Sequence, residues 1–485
     1  METLTTCNTS TLAPYTPSGS NPWDAQKVKH LYRRLGYGAT MAELTAALSI
    51  TPGEAVQNMI DEAIATPNTF TPEWAFWAFG DYNDYPEENN QQRDDWYKEA
   101  ARDLLNKGLK ARLSFFWFNH FVAQIDVFQH SPYLFQYWDL LQTHSLGNFK
   151  TFVREIGIAP AMLLMLNGFE NTSVSPNENY ARELYELFTL GANNGYTQQD
   201  IIETSRALTG YNHWTDFGAA IFFEESTFDT TEKTIFGQTG NWGYDDIIDI
   251  LFQEKAELIA TFICTKLYNY FVSPAISEPI INELKDVFIA SNWEIAPVLN
   301  LLFKSEHFFD ENALSQIVKS PYDLNLTFIR ETGMMFAGSE REFLALIIYL
   351  NGVLGQDFFQ PIDVAGWQRD QDWINTSTLT GRWLGMDYVS WQFWDYDSEQ
   401  YRQFAINLTN NSNDPYLITT TIVDFFLSKP LHTPSEYDAA TDVFKSEVPQ
   451  GYYDDGSWNL SWEGASYQVI LLIQHIFRMP EFQLK

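Results

Sequence analysis

The clearest alternation of apolar and polar positions lies between residues 175 and 210, where it predicts two short helices joined by a loop. In the first helix, Tyr180, Leu184 and Leu187 recur at spacings of four and three, so they share one face. Polar residues occupy the positions between them. The pattern therefore predicts a central helix that packs through one side and keeps a charged line on the other.

The ends of both central helices carry residues that are typical of caps and stops. The first has Ser at the cap, Pro at the first helical position and Glu three residues past the cap, and the second has Thr and Asp in a similar arrangement. A glycine follows the last periodic residue of each. These residues are Ser175, Pro176, Glu178 and Gly191 in the first helix, and Thr197, Asp200 and Gly210 in the second.

Most of the remaining chain shows the same helical period, with two exceptions. Residues 219–240 contain β-like runs around a turn-rich middle, which predicts a small hairpin. Residues 356–378 are irregular and rich in Trp, Asp, Gly and Asn. No period of 20 to 50 residues recurs, so a repeat solenoid is not expected. The predicted fold is mostly α, a large multi-helix globular array with a small β-hairpin insertion near 219–240.

The domain organisation follows from composition along the chain. Residues 1–22 are rich in Thr, Ser, Pro and Asn and predict a flexible polar tail. Residues 23–485 predict a single domain, with two helical lobes (23–215 and 241–485) joined by the hairpin segment 216–240 as a possible subdivision.

The net charge of the chain argues against nucleic acids and anionic lipids as partners. The chain has 63 Asp and Glu against 29 Lys and Arg, a net charge of −34. Because so acidic a surface repels phosphate groups, we expect no nucleic-acid partner and no docking on anionic lipid. No uncharged apolar run of 18 residues predicts membrane insertion, and the first residues do not resemble a signal peptide, so localisation stays open. Cys7 and Cys264 predict neither a disulfide framework nor a metal site.

The charged line of the central helix is the first candidate site. An arginine between two carboxylates keeps both ionised, and in a cleft such a group could bind a hydroxylated substrate, activate a water or hold a hard cation. Helix capping and ordinary i,i+4 pairs on an exposed face explain the same residues. The candidates are Glu178, Glu183 and Glu186 as catalytic residues, and Asn177, Asn179 and Arg182 as substrate-binding residues.

Two further stretches carry candidate chemistry. Asn119 and His120 interrupt the aromatic run FFWFNHFV, and polar groups there need partners if buried. His120 is a candidate general base or metal ligand, and a hydrogen-bonded core histidine is the alternative. Asp363, Trp367 and Trp373 suit sugar recognition, in which rings stack on sugar faces and a carboxylate accepts hydroxyls. A loop anchored by its own tryptophans is the alternative.

Several familiar motifs are absent from the sequence. There is no GxSxG, HExxH, GxxxxGK[ST] or strand-associated GxGxxG, so nucleotide, dinucleotide and zinc-protease functions are not predicted. Cofactors and metals stay unknown. The sequence motifs that are present lie in a fixed order: HLYRRLGYG at 30–38, FWFNHF at 116–121, NENYAREL at 177–184, FTLG at 188–191, YTQQD at 196–200, RALTG at 206–210, KSP at 319–321, DVAGW at 363–367 and MPEF at 479–482.

In order and spacing, from about residue 25 to the C-terminus, these motifs resemble a bacterial family catalogued as domain of unknown function 1800. The family often has a second His where Phe118 stands, so the resemblance implies no two-histidine site here. It implies no agreed activity. Members are often exported and often encoded beside a sulfatase- or phosphatase-like family, which would be a protein partner.

Two functional hypotheses follow. The first is a hydrolase-type enzyme that acts on a polar, glycan-like substrate through the acidic line and His120. The second is a non-catalytic helical scaffold or partner protein, in which the same polar residues form a buried structural network. An open pocket where the central helix meets Asn119, His120 and the loop at Asp363 would favour the enzyme, and a closed, fully paired network would favour the scaffold.

Overall fold

The computed structural model describes residues 10–211 and 221–485, and these residues are largely helical. Several helices in the first half begin directly after an Asp, Thr or Asn side chain that caps them. The helices of this half are α1 (Ala25–Leu35), α2 (Met41–Leu48), α3 (Pro52–Ala65), α4 (Tyr85–Asn106), α5 (Gly108–His120), α6 (Ile125–Phe128), α7 (Ser131–His144), α8 (Phe149–Ile156), α9 (Pro160–Met165), α10 (Asn179–Glu183), a π-helical segment (Leu184–Thr189) and α11 (Gln198–Ala207).

The second half is also helical, which confirms the prediction of a mostly α fold. Its helices are α12 (Tyr244–Glu254), α13 (Ala256–Phe271), α14 (Glu278–Ala290), α15 (Ile295–Phe303), α16 (Pro321–Thr332), α17 (Glu340–Val353), α18 (Thr376–Tyr396), α19 (Glu399–Thr409), α20 (Pro415–Phe426), α21 (Pro434–Lys445), α22 (Gly451–Asp454) and α23 (Ala465–Phe477). None of the helices within the described ranges has both the length and the apolar run that crossing a membrane requires.

The predicted hairpin is confirmed as two short antiparallel strands, β1 (Lys233–Ile235) and β2 (Gln238–Gly240). The turn residues Phe236 and Gly237 both have positive φ, of 49° and 81°, which matches the twist of a tight hairpin turn. The earlier β-like run at 219–228 forms no strand in its described part. Residues 219 and 220 lie outside the described residues.

A single cluster of buried apolar side chains extends from Leu12 to Phe482 and includes residues from both predicted lobes. Aromatic rings dominate its centre, where Trp117 packs against Phe149 and Phe152 at centroid distances of 5.6 and 5.5 Å. The aromatic content of the sequence is therefore used mainly for helix packing. The division into two lobes stays a prediction.

Residues 10–22 belong to the segment predicted to be a flexible tail. Leu12 and Tyr15 are buried, and the Tyr15 amide donates to the carbonyl of Lys304 at 2.8 Å. The Tyr15 hydroxyl also donates to the carbonyls of Asn21 and Pro22. This part of the tail is packed against the chain after α15, because its two apolar side chains bury surface there.

The central helix begins later than its capping signals predict. The predicted cap Ser175 pairs with Thr172 in a short turn, and the Asn177 amide donates to the Asn171 side chain at 2.8 Å. Because Asn177 is held by this tertiary contact, Asn179 is the first helical residue. The cap at Ser175 and Pro176 was therefore wrong.

Buried ion pairs link the two ends of the chain. Arg33 on α1 forms a bidentate pair with Glu331 on α16, at 2.6 and 2.7 Å, and both side chains are fully buried. The backbone segments at 317–319 and 483–485 run beside each other, joined by the Lys485 amide and the Ile317 carbonyl at 2.9 Å. These links place the C-terminal residues beside the start of α16.

Candidate functional site

A cavity of about 200 Å³ lies where α5 and α13 end against the start of α16 and the loop at 356–373. Four of the predicted site residues line it, namely Asn119, His120, Trp367 and Trp373. Further walls come from the aromatic residues Phe115, Phe116 and Tyr270. The structure therefore joins two stretches that are about 250 residues apart in the sequence, as one hypothesis expected.

The imidazole of His120 is buried and hydrogen-bonded through both nitrogens. Nε2 lies 3.1 Å from the Phe188 carbonyl oxygen, which can only accept, so Nε2 carries the proton. Nδ1 is then the acceptor for Nζ of Lys266, at 2.9 Å. Burial, followed by the charge of Lys266, holds the pKa of His120 well below its ordinary value. His120 is therefore a neutral imidazole that holds a lysine.

The carbonyls that accept hydrogen bonds from His120 and Lys266 belong to the π-helical end of the central helix. The Leu190 amide bonds to the Tyr185 carbonyl at 2.8 Å, so the final turn is widened. The last carbonyls of a helix have no partner within it. Phe188 offers its carbonyl to His120, and Leu187 offers its carbonyl to Lys266 at 3.1 Å. The central helix thus contacts two residues of the cavity wall, His120 and Lys266, through its backbone.

Lys266 has no carboxylate partner within the part of the chain that the structure describes. Its Nζ donates to His120 and to Leu187, and it lies 4.7 Å from the centre of the Phe262 ring. Burial, followed by the nearby cation Arg369, lowers the pKa of Lys266 to about 7. Close to neutral pH this amine therefore exists in both its charged and its neutral form.

Asn119 holds the loop at 363–373 against α5. Its Oδ1 accepts the Trp367 amide at 2.7 Å, and the indole of Trp367 donates to the Asp357 carbonyl at 3.1 Å. Gly366 has a φ of +101°, and a Cβ there would lie 2.3 Å from Asn119 Oδ1. Asn119 is a positioning residue, and Trp367 packs at 4.8 Å against Phe115 as part of the wall.

The predicted residue Asp363 does not line the cavity. It is exposed, and its carboxylate accepts the Ala365 amide at 2.8 Å within its own loop. The cavity instead receives Asp370, whose Oδ1 accepts the Val318 amide at 2.9 Å. The loop carboxylate that lines the cavity is therefore Asp370, seven residues after the predicted Asp363.

The floor of the cavity holds a neutralised carboxylate. Asp323 contacts both Arg112 and Lys485, and all three side chains are buried. Burial alone would raise the pKa of Asp323, but Arg112 and Lys485 bring it below its usual range. Burial, with Arg112 next, lowers the pKa of Lys485 to about 7. Asp323 is thus committed to structural pairs.

The acidic line of the central helix lies outside this cavity. Glu178 pairs with Arg182 at 2.9 Å and with Gln198 at 2.7 Å, and the side chains of the first two are each 38% exposed. Burial, followed by the charge of Glu186, raises the pKa of Glu183. Asn179 donates its amide to the Asn177 side chain at 2.9 Å. None of the six predicted residues of this line borders the cavity.

Lys266, Asn269 and Arg369 are among the polar residues of the cavity that sequence reasoning missed. Lys266 is the single cation within the apolar run LIATFICTKLYNYF, a signal that could have marked it. Asn269 lies one helical turn further, and its Oδ1 is buried without a hydrogen-bond partner among the described residues. Arg369 lies in the loop whose tryptophans were noticed. Residues 10–211 and 221–485 contain no group of three or more His, Cys, Asp or Glu arranged to hold a metal.

Comparisons with known proteins give one match. The model of a family described as "Protein of unknown function (DUF1800)" matches residues 30–484. Neither the curated proteins nor the solved structures gave a match.

Proposed function

The chain belongs to the DUF1800 family, and we propose that it is a hydrolase-type enzyme whose site is the cavity beside His120. Lys266 is its acid–base group, and the substrate is a small polar molecule. The observation that carries this proposal is a lysine that lines an open cavity and is held by a neutral histidine and a backbone carbonyl, where burial lowers its pKa.

The state of Lys266 suits proton transfer. A general base or acid works best when its pKa is near the operating pH. In its neutral form the amine has two N–H groups, and these can donate to Nδ1 of His120 and to the Leu187 carbonyl. Its lone pair then remains for a water or a substrate hydroxyl. Charged, it has a third N–H for a leaving group.

The cavity walls suit a small polar substrate. About 200 Å³ is less than the roughly 300–1,000 Å³ of ordinary small-molecule pockets, so the substrate is on the scale of one sugar ring. Trp373 and Tyr270 line the cavity with aromatic side chains, and Asn269 adds a polar side chain to its wall. Because the cavity is open and one of its lining residues, His120, is bonded to the Phe188 carbonyl of the central helix, this geometry supports the enzyme over a closed structural network.

A second candidate function rests on the acidic line. Glu178, Arg182 and Gln198 are hydrogen-bonded to one another and partly exposed, away from the cavity. Such a surface suits contact with a protein partner, so the alternative is a non-catalytic scaffold that works with an exported sulfatase- or phosphatase-like protein. In that case the cavity would have no turnover.

The test is a thermal-shift screen of monosaccharides, methyl glycosides and sugar esters, followed by proton NMR of each compound that binds. We compare wild type with Lys266→Met, and with Lys285→Met as control, since Lys285 pairs with Glu257 on the surface. We expect a compound that stabilises wild type and the control, and that is cleaved only by these two proteins. Binding without cleavage would favour the scaffold, whereas cleavage by Lys266→Met would show that Lys266 is not the acid–base group.

A further inference from the structure

The cavity differs in charge from the rest of this acidic protein. Three cations line it, Lys266, Arg369 and Lys485, against two carboxylates. Asp323 is already paired with Lys485 and with Arg112 behind the wall, and Asp370 accepts a backbone amide. Among residues 10–211 and 221–485, Lys266 and Arg369 have no carboxylate partner. In a chain with a net charge of −34, two such cations at one cavity need an explanation.

Arg369 is placed to meet a ligand. Its side chain is exposed at the edge of the cavity and makes no hydrogen bond or ion pair with any described residue. It is close enough to Lys266 for their charges to repel, and this repulsion lowers the pKa of Lys266. Placing two cations together costs free energy that a bound anion would recover.

We infer that the cavity binds a small organic oxyanion, whose charged group is held by Arg369 and Lys266 while its body lies against Trp373. The planar fork of a guanidinium matches a carboxylate, phosphate or sulfate group. Asn269 adds a polar side chain to the wall of the same cavity. This inference uses the cavity of the proposed function and names its substrate class.

The overall negative charge does not oppose this assignment. Exposed charges further away than about 8–10 Å are largely screened at physiological ionic strength. The local cations therefore decide what the cavity attracts. Polar ligands without charge would leave Arg369 and Lys266 unneutralised, so they should bind less well than their anionic counterparts.

The experiment is isothermal titration of wild type with phosphate, sulfate and acetate at pH 6, at constant ionic strength and with chloride as reference. Glucuronate and glucose form a matched charged and neutral pair. We expect at least one oxyanion to bind more tightly than chloride, and glucuronate to bind at least tenfold more tightly than glucose. Arg369→Gln should weaken oxyanion binding about tenfold or more, since charge-assisted hydrogen bonds contribute roughly 1.5–3 kcal/mol.

Arg341→Gln is the control, because Arg341 is an exposed arginine in a surface ion pair. Arg369→Lys keeps the charge but lacks the planar fork, so its affinity should lie between those of wild type and Arg369→Gln. A second measurement is acetylation by acetic anhydride at pH 7, in which a bound oxyanion should slow the labelling of Lys266. The inference is overturned if oxyanions bind no more tightly than chloride, or if Arg369→Gln binds as wild type does.

The outcomes separate this inference from the proposed function. Binding of glucose without binding of oxyanions removes the inference and leaves an acid–base site for neutral substrates. Oxyanion binding with the expected loss in Arg369→Gln, but without turnover of any bound compound, supports the inference and removes the hydrolase.

Discussion

The contact between Gly366 and Asn119 makes a sharp prediction about how the cavity is held. In Gly366→Ala the new Cβ would lie 2.3 Å from Asn119 Oδ1 and 2.8 Å from the Asn119 carbonyl oxygen. Both separations are well below van der Waals contact, and one of the two atoms belongs to the backbone of α5. The loop must therefore move away from the helix.

The cost has two parts. A residue with a side chain at a φ of +101° costs about 1–3 kcal/mol in backbone strain. Overpacking at a tight contact adds about 1–3 kcal/mol, which includes weakening of the 2.7 Å bond from the Trp367 amide to Asn119. We therefore expect Gly366→Ala to lower the free energy of unfolding by about 2–6 kcal/mol.

Urea unfolding followed by tryptophan fluorescence and circular dichroism measures this loss, provided that both signals give one transition. Gly53→Ala is the matched control, since Gly53 lies in α3 with ordinary helical φ and open space around its Cβ. It should leave stability unchanged or raise it by about 0.5–1 kcal/mol. If Gly366→Ala costs less than about 1 kcal/mol, the described seating of the loop on α5 is wrong.

Three further predictions follow from the charged groups. Glu331→Gln should lower the free energy of unfolding by about 3–5 kcal/mol, because it leaves the buried Arg33 without its carboxylate partner. Glu178→Gln on the surface should lower it by less than about 1 kcal/mol. Equal losses in urea unfolding would contradict this contrast. Between pH 7 and 10 the folded state binds fewer protons at Lys266 than the unfolded state does, so the stability of wild type should rise with pH relative to that of Lys266→Met. The gain should be on the order of 1–2 kcal/mol, because water in the cavity reduces the effect of burial. Parallel curves of stability against pH for the two proteins would refute this prediction. The pKa of Glu183 is raised, so its charged form opposes folding near neutral pH. Glu183→Gln should therefore keep or slightly raise the melting temperature and leave ligand binding in the cavity unchanged. Loss of ligand binding would show that the acidic line belongs to the functional site.

Local signals in the sequence were sufficient for the fold class and for many helix ends. The capping arrangement predicted at Thr197 forms, and capping boxes form at Thr40 and Thr51 too, because a Thr three residues before an acidic side chain satisfies free amides without any tertiary help. The start at Ser175 failed, because the side chain of Asn171 takes up the Asn177 amide and delays the helix. A contact of that kind depends on the folded loop.

The candidate site was predictable only in part. Asn119, His120, Trp367 and Trp373 stood out because polar or aromatic residues interrupt their local pattern. The charged line at Glu178 stood out as strongly, yet helical period alone cannot distinguish a solvent-facing line from one that borders a cavity. Lys266 acquires its chemistry from His120, 146 residues away, and from the carbonyl of Leu187. Its sequence neighbours are ordinary helix residues.

The pKa of Lys266 tests the central claim most directly. NMR of protein labelled with carbon-13 at the lysine Cε would follow each amine as pH is raised, and the signal missing from Lys266→Met identifies the residue. The account predicts a midpoint of about 7 for this signal. A midpoint near the ordinary lysine value of about 10.4 would mean that the cavity does not desolvate Lys266, and the acid–base role would then be lost.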